Sequence, residues 1–267
     1  MEDPTVFEGV FDNLIQQIEA GANNEEISND LNKSILEARL KTSENPSYFV
    51  MTINMNGNAS GSGGAQKRRD LLSIILRSAF PTALIFCQEI PGKFEREVVP
   101  EKYHYRRNEK EAAVIWDGDQ FDGSSEGFET TNADIRKLRD KIEKERGHAS
   151  ELLPRISMVK LTPLKQEQNE SILAVSFHGP YNGKSKEEKC EIFRSLIEFL
   201  KEVIKLRRIP SYIVGGDFNF DTLEVALPDK VIVSSTQSSP RSQEKQQEPG
   251  NFIPNKDNFI WRSEEHT

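Results

Sequence analysis

Residues 211–219 read Ser-Tyr-Ile-Val-Gly-Gly-Asp-Phe-Asn, and the fold turns on this stretch. Residues 212–214 form a short apolar strand, and a carboxylate, Asp217, and an amide, Asn219, flank Phe218 just beyond it. In isolation such a pair makes a turn. The same context occurs upstream, where Asn54, Glu89 and His178 each follow an apolar run directly or within two residues. Polar groups at several strand ends can converge in one crevice while the strands hold them rigid, which is how a site is built on an α/β scaffold.

The helix before this stretch is the clearest in the chain. Ser185 and Glu188 make a capping-box pattern, and Phe193, Leu196, Ile197, Leu200, Val203 and Ile204 form one apolar stripe. Pro210 stops the pattern, so a helix is expected over 186–208. Strands are expected at 48–53, 83–87, 112–116, 156–161, 171–177, 212–214 and 231–233, with a last one beginning at Phe259. After a Gly/Ser-rich loop at 57–64, a helix over 67–79 would bury Leu71, Leu72, Ile75 and Ala79. The charged stretch 132–147 reads as a solvated helix inserted between strands. Residues 234–251, rich in Ser, Gln, Glu and Pro, read as a disordered loop. Strands outnumber helices and most strand connections are not helical, which argues for mixed sheets.

The 267 residues suffice for one large α/β domain, and 36% of them are hydrophobic. The net charge of −8 is uneven: residues 1–46 hold ten acidic and three basic side chains, whereas residues 47–261 carry 31 of each sign. Helical patterns at 6–20 and 25–40, with Val6, Val10, Leu14 and Ile18 on one face, make residues 1–46 an acidic helical extension suited to a protein partner. The neutral body over 47–261 gives no footprint for long nucleic acid, though a local basic groove is compatible with it. Cys87 and Cys190 read as two buried free thiols, since a disulfide framework needs more cysteines in a smaller chain. No apolar stretch approaches the ~20 residues of a membrane span, and the acidic N-terminus has no signal-peptide pattern. An intracellular protein, cytoplasmic or nuclear, is therefore expected. Residues 262–267, Arg-Ser-Glu-Glu-His-Thr, are a translation of a common sequencing adapter and are read as a scar, with the natural chain continuing beyond Trp261.

Five short motifs, taken in order, resemble one family. Residues 53–57, Ile-Asn-Met-Asn-Gly, are similar to a strand ending in Asn before Asx-Gly. Residues 85–89, Ile-Phe-Cys-Gln-Glu, are similar to its Gln-Glu motif, and residues 176–179, Ser-Phe-His-Gly, to its His motif. Residues 215–219 match its Gly-Asp-Phe-Asn motif, and Asp257-Asn258-Phe259-Ile260 resembles its Asp-led last-but-one strand. The family is the endonuclease/exonuclease/phosphatase superfamily, also called deoxyribonuclease I-like. The resemblance covers residues 48–261 and implies a four-layer α/β sandwich of two mixed sheets flanked by helices. The family's terminal Asp-His pair has no counterpart here, so the domain is expected to be cut short, with its last strand missing and the activity of this fragment in question.

The residue types suit that chemistry. Phosphodiester hydrolysis needs a cation to neutralise charge, an activated water and help for the leaving oxygen. Mg2+, or Mn2+ in its place, takes oxygen ligands and only one or two carboxylates from a protein. Glu89 is then the principal metal ligand, and Asn54 supplies a neutral amide oxygen to the metal beside it. Asn56 either supports the site or makes a turn. By resemblance, Asp217 orients or deprotonates the attacking water and Asn219 holds that water or the phosphate. His178 would donate to a phosphoryl oxygen or protonate the leaving group. Asp257 matches the aspartate that orients the family's terminal histidine. Arg155 resembles a phosphate-contacting arginine, or else it lies on a solvated face. Lys67-Arg68-Arg69 reads as the charged first turn of a helix.

The expected function is a Mg2+-dependent phosphoester hydrolase, nuclease-like, with nucleic acid favoured over a small molecule as substrate. A small-molecule or lipid phosphate is the alternative within the same fold, and a non-catalytic binding module is the alternative outside catalysis.

Overall fold

The computed structural model describes residues 49–55, 64–77, 82–90, 98–108, 111–164, 171–180, 183–219, 232–235 and 257–263, with the single positions 20, 29 and 33. In chain order the elements are β1 (Phe49–Asn54), α1 (Gly64–Arg77), β2 (Thr82–Gln88), β3 (Tyr103–Asn108), β4 (Ala112–Asp117), β5 (Phe121–Ser124) and α2 (Ala133–Arg146). Two 3-10 turns follow at Ala149–Glu151 and Leu153–Arg155, then β6 (Ile156–Pro163), β7 (Ile172–His178), α3 (Lys186–Arg207), β8 (Ser211–Asp217), β9 (Ile232–Ser235) and β10 (Asp257–Ser263). The strands form a four-stranded sheet, β1-β2-β4-β3, and a six-stranded sheet, β5-β6-β7-β8-β10-β9.

Each sheet holds one parallel pair, β1 with β2 and β7 with β8, and each of these pairs is joined through a helix. The remaining pairings are antiparallel. Both sheets are thus mixed, as expected, because parallel neighbours need a long crossover while hairpins serve the antiparallel ones. The βαβ units also fix where polar groups gather, since the carboxyl ends of such strands open onto a shared crevice.

Three apolar clusters make four layers. Leu72 and Leu76 of α1 pack with Ile85, Cys87, Ala113 and Ile115 on the outer face of the smaller sheet. Leu84, Phe86, Val114 and Trp116 meet Val159, Leu161 and Ala174 between the sheets. Phe193, Leu196, Leu200 and Val203 of α3 cover Leu173, Val175, Phe177, Tyr212 and Val214 on the outer face of the larger sheet. Alternate residues of β2 and β7 therefore serve different cores, which is why those strands read as unbroken apolar runs. The sheets come so close at Gly215 that a Cβ there would lie 2.0 Å from the Phe86 ring. Gly215→Ala is expected to overpack this point and to cost roughly 1–3 kcal/mol, read as a lower urea midpoint with an unchanged slope. A wild-type midpoint would mean that the layers part freely there.

The α3 capping box is present, with Ser185 Oγ accepting from Glu188 N at 3.2 Å and Ser185 N donating to Glu188 Oε2 at 2.9 Å. The backbone N–H of Ser185 holds the Glu188 carboxyl below its ordinary value. The helix ends one residue short of the expected boundary, because Arg208 takes a left-handed conformation (φ 53) before Pro210 acts. Helix α2 is less solvated than its composition suggests: Ile135 and Ile142 are buried in the α3 core. Strands β3 and β5 are not foreshadowed in the sequence, since both are sheet edges whose residues are mostly solvated. Strand β9 takes in residues 234 and 235 of the expected loop, and β10 starts at Asp257 rather than Phe259. Cys87 is buried and its thiol pushed up by that burial, whereas Cys190 is only half-buried, correcting the expectation of two buried thiols. Asn56, Ala79, His266 and nearly all of the expected N-terminal helices lie outside the described residues. Among the described residues no helix is long and apolar enough to cross a membrane.

Candidate active site

Asn54, Glu89, His178 and Asp217 meet at one edge of the sandwich. Asn54 is the last residue of β1, and its Nδ2 donates to Glu89 Oε1 at 3.0 Å and to Asp217 Oδ2 at 3.0 Å. His178 ends β7 and stands in register with Asp217, which ends β8. His178 Nε2 lies 3.5 Å from Glu89 Oε1. Asn54, His178 and Asp217 are all buried, at 7%, 2% and 2% exposure, so their orientations are set by packing and hydrogen bonds rather than by water.

Two non-glycine residues at the site have left-handed backbones, Glu89 (φ 48) and Asn219 (φ 58). Such conformations cost free energy and persist where the surroundings enforce them, often at functional sites. Glu89 N donates to Glu111 O at 3.2 Å, which turns the chain sharply after β2. Asn219 is held by an Asx-type bond from its own N–H to Asp217 Oδ1 at 3.1 Å, and its Nδ2 donates to Gly179 O at 2.9 Å. Gly179 is obligatory here, because a Cβ would lie 2.4 Å from Phe218 O.

Gln88, beside Glu89, is fully buried and links the sheets. Its Nε2 donates to Ser176 Oγ at 3.0 Å, Ser176 Oγ donates to Cys87 O at 2.9 Å, and Thr52 Oγ1 donates to Gln88 Oε1 at 3.4 Å. This satisfied network ties the β2 end to the β7 end, so Glu89 and His178 keep their separation.

Glu111 belongs to the site although its sequence context does not single it out. Its Oε2 is 2.7 Å from His178 Nδ1. The available signal was its place immediately before the apolar strand 112–116. Arg155 is brought to the site, but onto main chain: Nη1 donates to His178 O at 3.4 Å and Gly179 O at 3.5 Å. Arg68, read as part of a charged first turn, reaches inward to Asn54 O at 2.6 Å. Asp257 is the register partner of Asp217 across β8 and β10.

Among the described residues no three His, Cys, Asp or Glu side chains form a ready chelate. The oxygen donors are instead two carboxylates, Glu89 and Asp217. Asn54 turns its Nδ2, not the amide oxygen expected as a ligand, to both of them, because two neighbouring carboxylates without a cation between them are satisfied by a shared N–H donor. Two carboxylates fit a hard, largely hydrated divalent cation, which takes one or two of them from a protein and keeps several waters. Glu89 has only Asn54 and His178 as side-chain partners among the described residues, with no Lys or Arg upon it.

No family model and no curated protein matches the chain. Solved structures do. Humanized D. rerio TDP2 carrying 14 mutations is similar over 82% of this chain and 84% of its own, at 13% identity and a TM-score of 0.52. C. elegans TDP2 in its selenomethionine form is similar over 98% of this chain and 84% of its own, at 16% identity and a TM-score of 0.52. D. rerio TDP2 complexed with single strand DNA product is similar over 80% and 83%, at 13% identity and a TM-score of 0.50. The fold is the four-layer, deoxyribonuclease I-like α/β sandwich that the motifs imply.

Proposed function

We propose that this chain is a divalent-metal-dependent phosphoester hydrolase that acts as a nuclease-like phosphodiesterase. One observation carries the reading: a single amide, Asn54, hydrogen-bonds at 3.0 Å to both Glu89 and Asp217, while His178 faces the same Glu89 at 3.5 Å. Glu89, with Asn54 beside it, would hold Mg2+ or Mn2+, and a bound cation of this kind neutralises charge on phosphoryl oxygens. Asp217, fixed through both oxygens, orients a water and takes its proton. His178 would donate from Nε2, which lies 3.5 Å from Glu89 Oε1, to a phosphoryl or leaving oxygen, while Glu111 on Nδ1 fixes the ring. Asn219 Oδ1 is left to position water or phosphate once Nδ2 is engaged with Gly179. Asp257 lies beside Asp217 in register and is assigned an orienting role.

Nucleic acid is the favoured substrate, supported by the similarly folded D. rerio protein held with a single strand DNA product. A smaller phosphoester is the second reading, supported by the even balance of 31 acidic and 31 basic side chains over residues 47–261. A single-stranded oligonucleotide and bis(p-nitrophenyl) phosphate test the chemistry together. Both are expected to be hydrolysed with Mg2+, with activity abolished by EDTA and restored by excess Mg2+. Cleavage of neither would end the hydrolase proposal, and a preference for mononucleotide or lipid phosphates over the oligonucleotide would favour the smaller substrate.

A further inference from the structure

Three long cationic side chains grip main-chain carbonyls at the strand ends that carry the site. Arg68, near the start of α1, donates from Nη1 to Asn54 O at 2.6 Å. Arg155, in the turn before β6, donates to His178 O and Gly179 O. Lys189, near the start of α3, donates from Nζ to Asn219 O at 3.1 Å. Carbonyls at the end of a strand have run out of ladder partners, and a charged donor binds such an acceptor about twice as strongly as a neutral one.

We infer that Arg68 and Lys189 are positioning residues that fix Asn54 and Asn219 by holding their carbonyls, an inference that rests on the phosphoesterase reading of the site. Asn54 has the more demanding task. Its amide reaches Glu89 and Asp217 at 3.0 Å each only while the end of β1 stays in place. The backbone there is pinned from two sides, by Met55 N donating to Gln88 O at 2.8 Å and by Arg68 on Asn54 O. Asn219 is pinned at three points: its N–H to Asp217, its amide to Gly179 and its carbonyl to Lys189. The third of these holds the turn closed in a left-handed conformation that Asn tolerates but does not prefer. Placement also serves charge: Arg68 and Lys189 bring positive charge beside the carboxylate cluster while donating to the carbonyls of Asn54 and Asn219.

The test uses the full chain with Arg68→Gln, Arg68→Lys, Lys189→Met and Lys189→Arg. Two readouts are needed, steady-state hydrolysis of the oligonucleotide with Mg2+ and backbone amide hydrogen exchange without metal or substrate. For Gln at 68 and Met at 189, kcat is expected to fall tenfold to about a hundredfold with KM changed less than about threefold, the pattern of misplaced reacting groups. Exchange should quicken at Met55 in Arg68→Gln and at Gly179 and Asn219 in Lys189→Met, with protection elsewhere in the sheets unchanged. Lys at 68 and Arg at 189 should recover most of both signals. A raised KM with unchanged kcat would overturn the inference by making these residues substrate contacts. Unchanged local exchange would overturn it outright, and protection lost throughout both sheets would make them general fold residues. If the wild-type chain cleaves no phosphoester, the functional proposal fails while the exchange data still decide whether these side chains hold the two strand ends.

Discussion

Replacing Asp217 by Asn is expected to lower metal-dependent hydrolysis about a thousandfold while leaving the protein folded. The carboxylate is 2% exposed, and both of its oxygens accept, Oδ2 from Asn54 Nδ2 at 3.0 Å and Oδ1 from Asn219 N at 3.1 Å. An asparagine carries one acceptor and one donor in the same space. Whichever way it turns, an NH2 group faces an N–H, so either the Asn54 bridge or the Asn219 turn is lost. The substitution also removes the group that takes a proton from water, and loss of either function reduces kcat rather than binding. Stability should change by only about 1 kcal/mol, because the lost hydrogen bond is offset by relief of repulsion with Glu89. Single-turnover rates and a urea titration of the same preparation measure the two quantities. A residual rate within tenfold of wild type would show that Asp217 only shapes the turn, as its sequence context alone allows.

The sequence announces the buried central strands and hides β3 and β5, for a physical reason. Strands β2, β4, β7 and β8 are buried on both faces, so their apolar runs stand out, and the polar residues at their ends are conspicuous. Strand β3, Tyr-His-Tyr-Arg-Arg-Asn, buries only Tyr103, and β5 is four residues long with a glycine inside, so neither leaves an apolar signal. The site divides in the same way. Asn54, Glu89, His178 and Asp217 follow strands and could be found by that rule. Glu111 precedes a strand, and its partnership with His178 spans 67 positions, which no local pattern encodes. Arg68 reads as part of a charged first turn and nothing local singles out Lys189, because a charged residue near a helix start is ordinary. Only the tertiary packing of α1 and α3 turns them toward strand ends.

Glu111 leads to the second large effect. His178→Ala is expected to lower kcat by about a hundredfold to ten-thousandfold, the usual range for a lost general acid. Glu111→Gln should cost less, about tenfold to a hundredfold, since it leaves the imidazole in place and weakens only the bond that orients it. Two carboxylates face the imidazole: Nδ1 sits 2.7 Å from Glu111, and Nε2 lies 3.5 Å from Glu89. Glutamine at 111 can still accept at Nδ1 through its oxygen, but without charge and with an alternative rotamer that offers a donor. The decisive measurement is the double variant. If Glu111 acts only through the histidine, removing both side chains should be no worse than removing His178 alone, because the carboxylate then has nothing left to orient. Losses that multiply instead would give Glu111 an independent task, such as sharing the cation with Glu89, whose backbone N–H it receives 3.2 Å away. That outcome would move the metal site toward the β2–β4 side of the cleft and leave His178 to act on the leaving group alone.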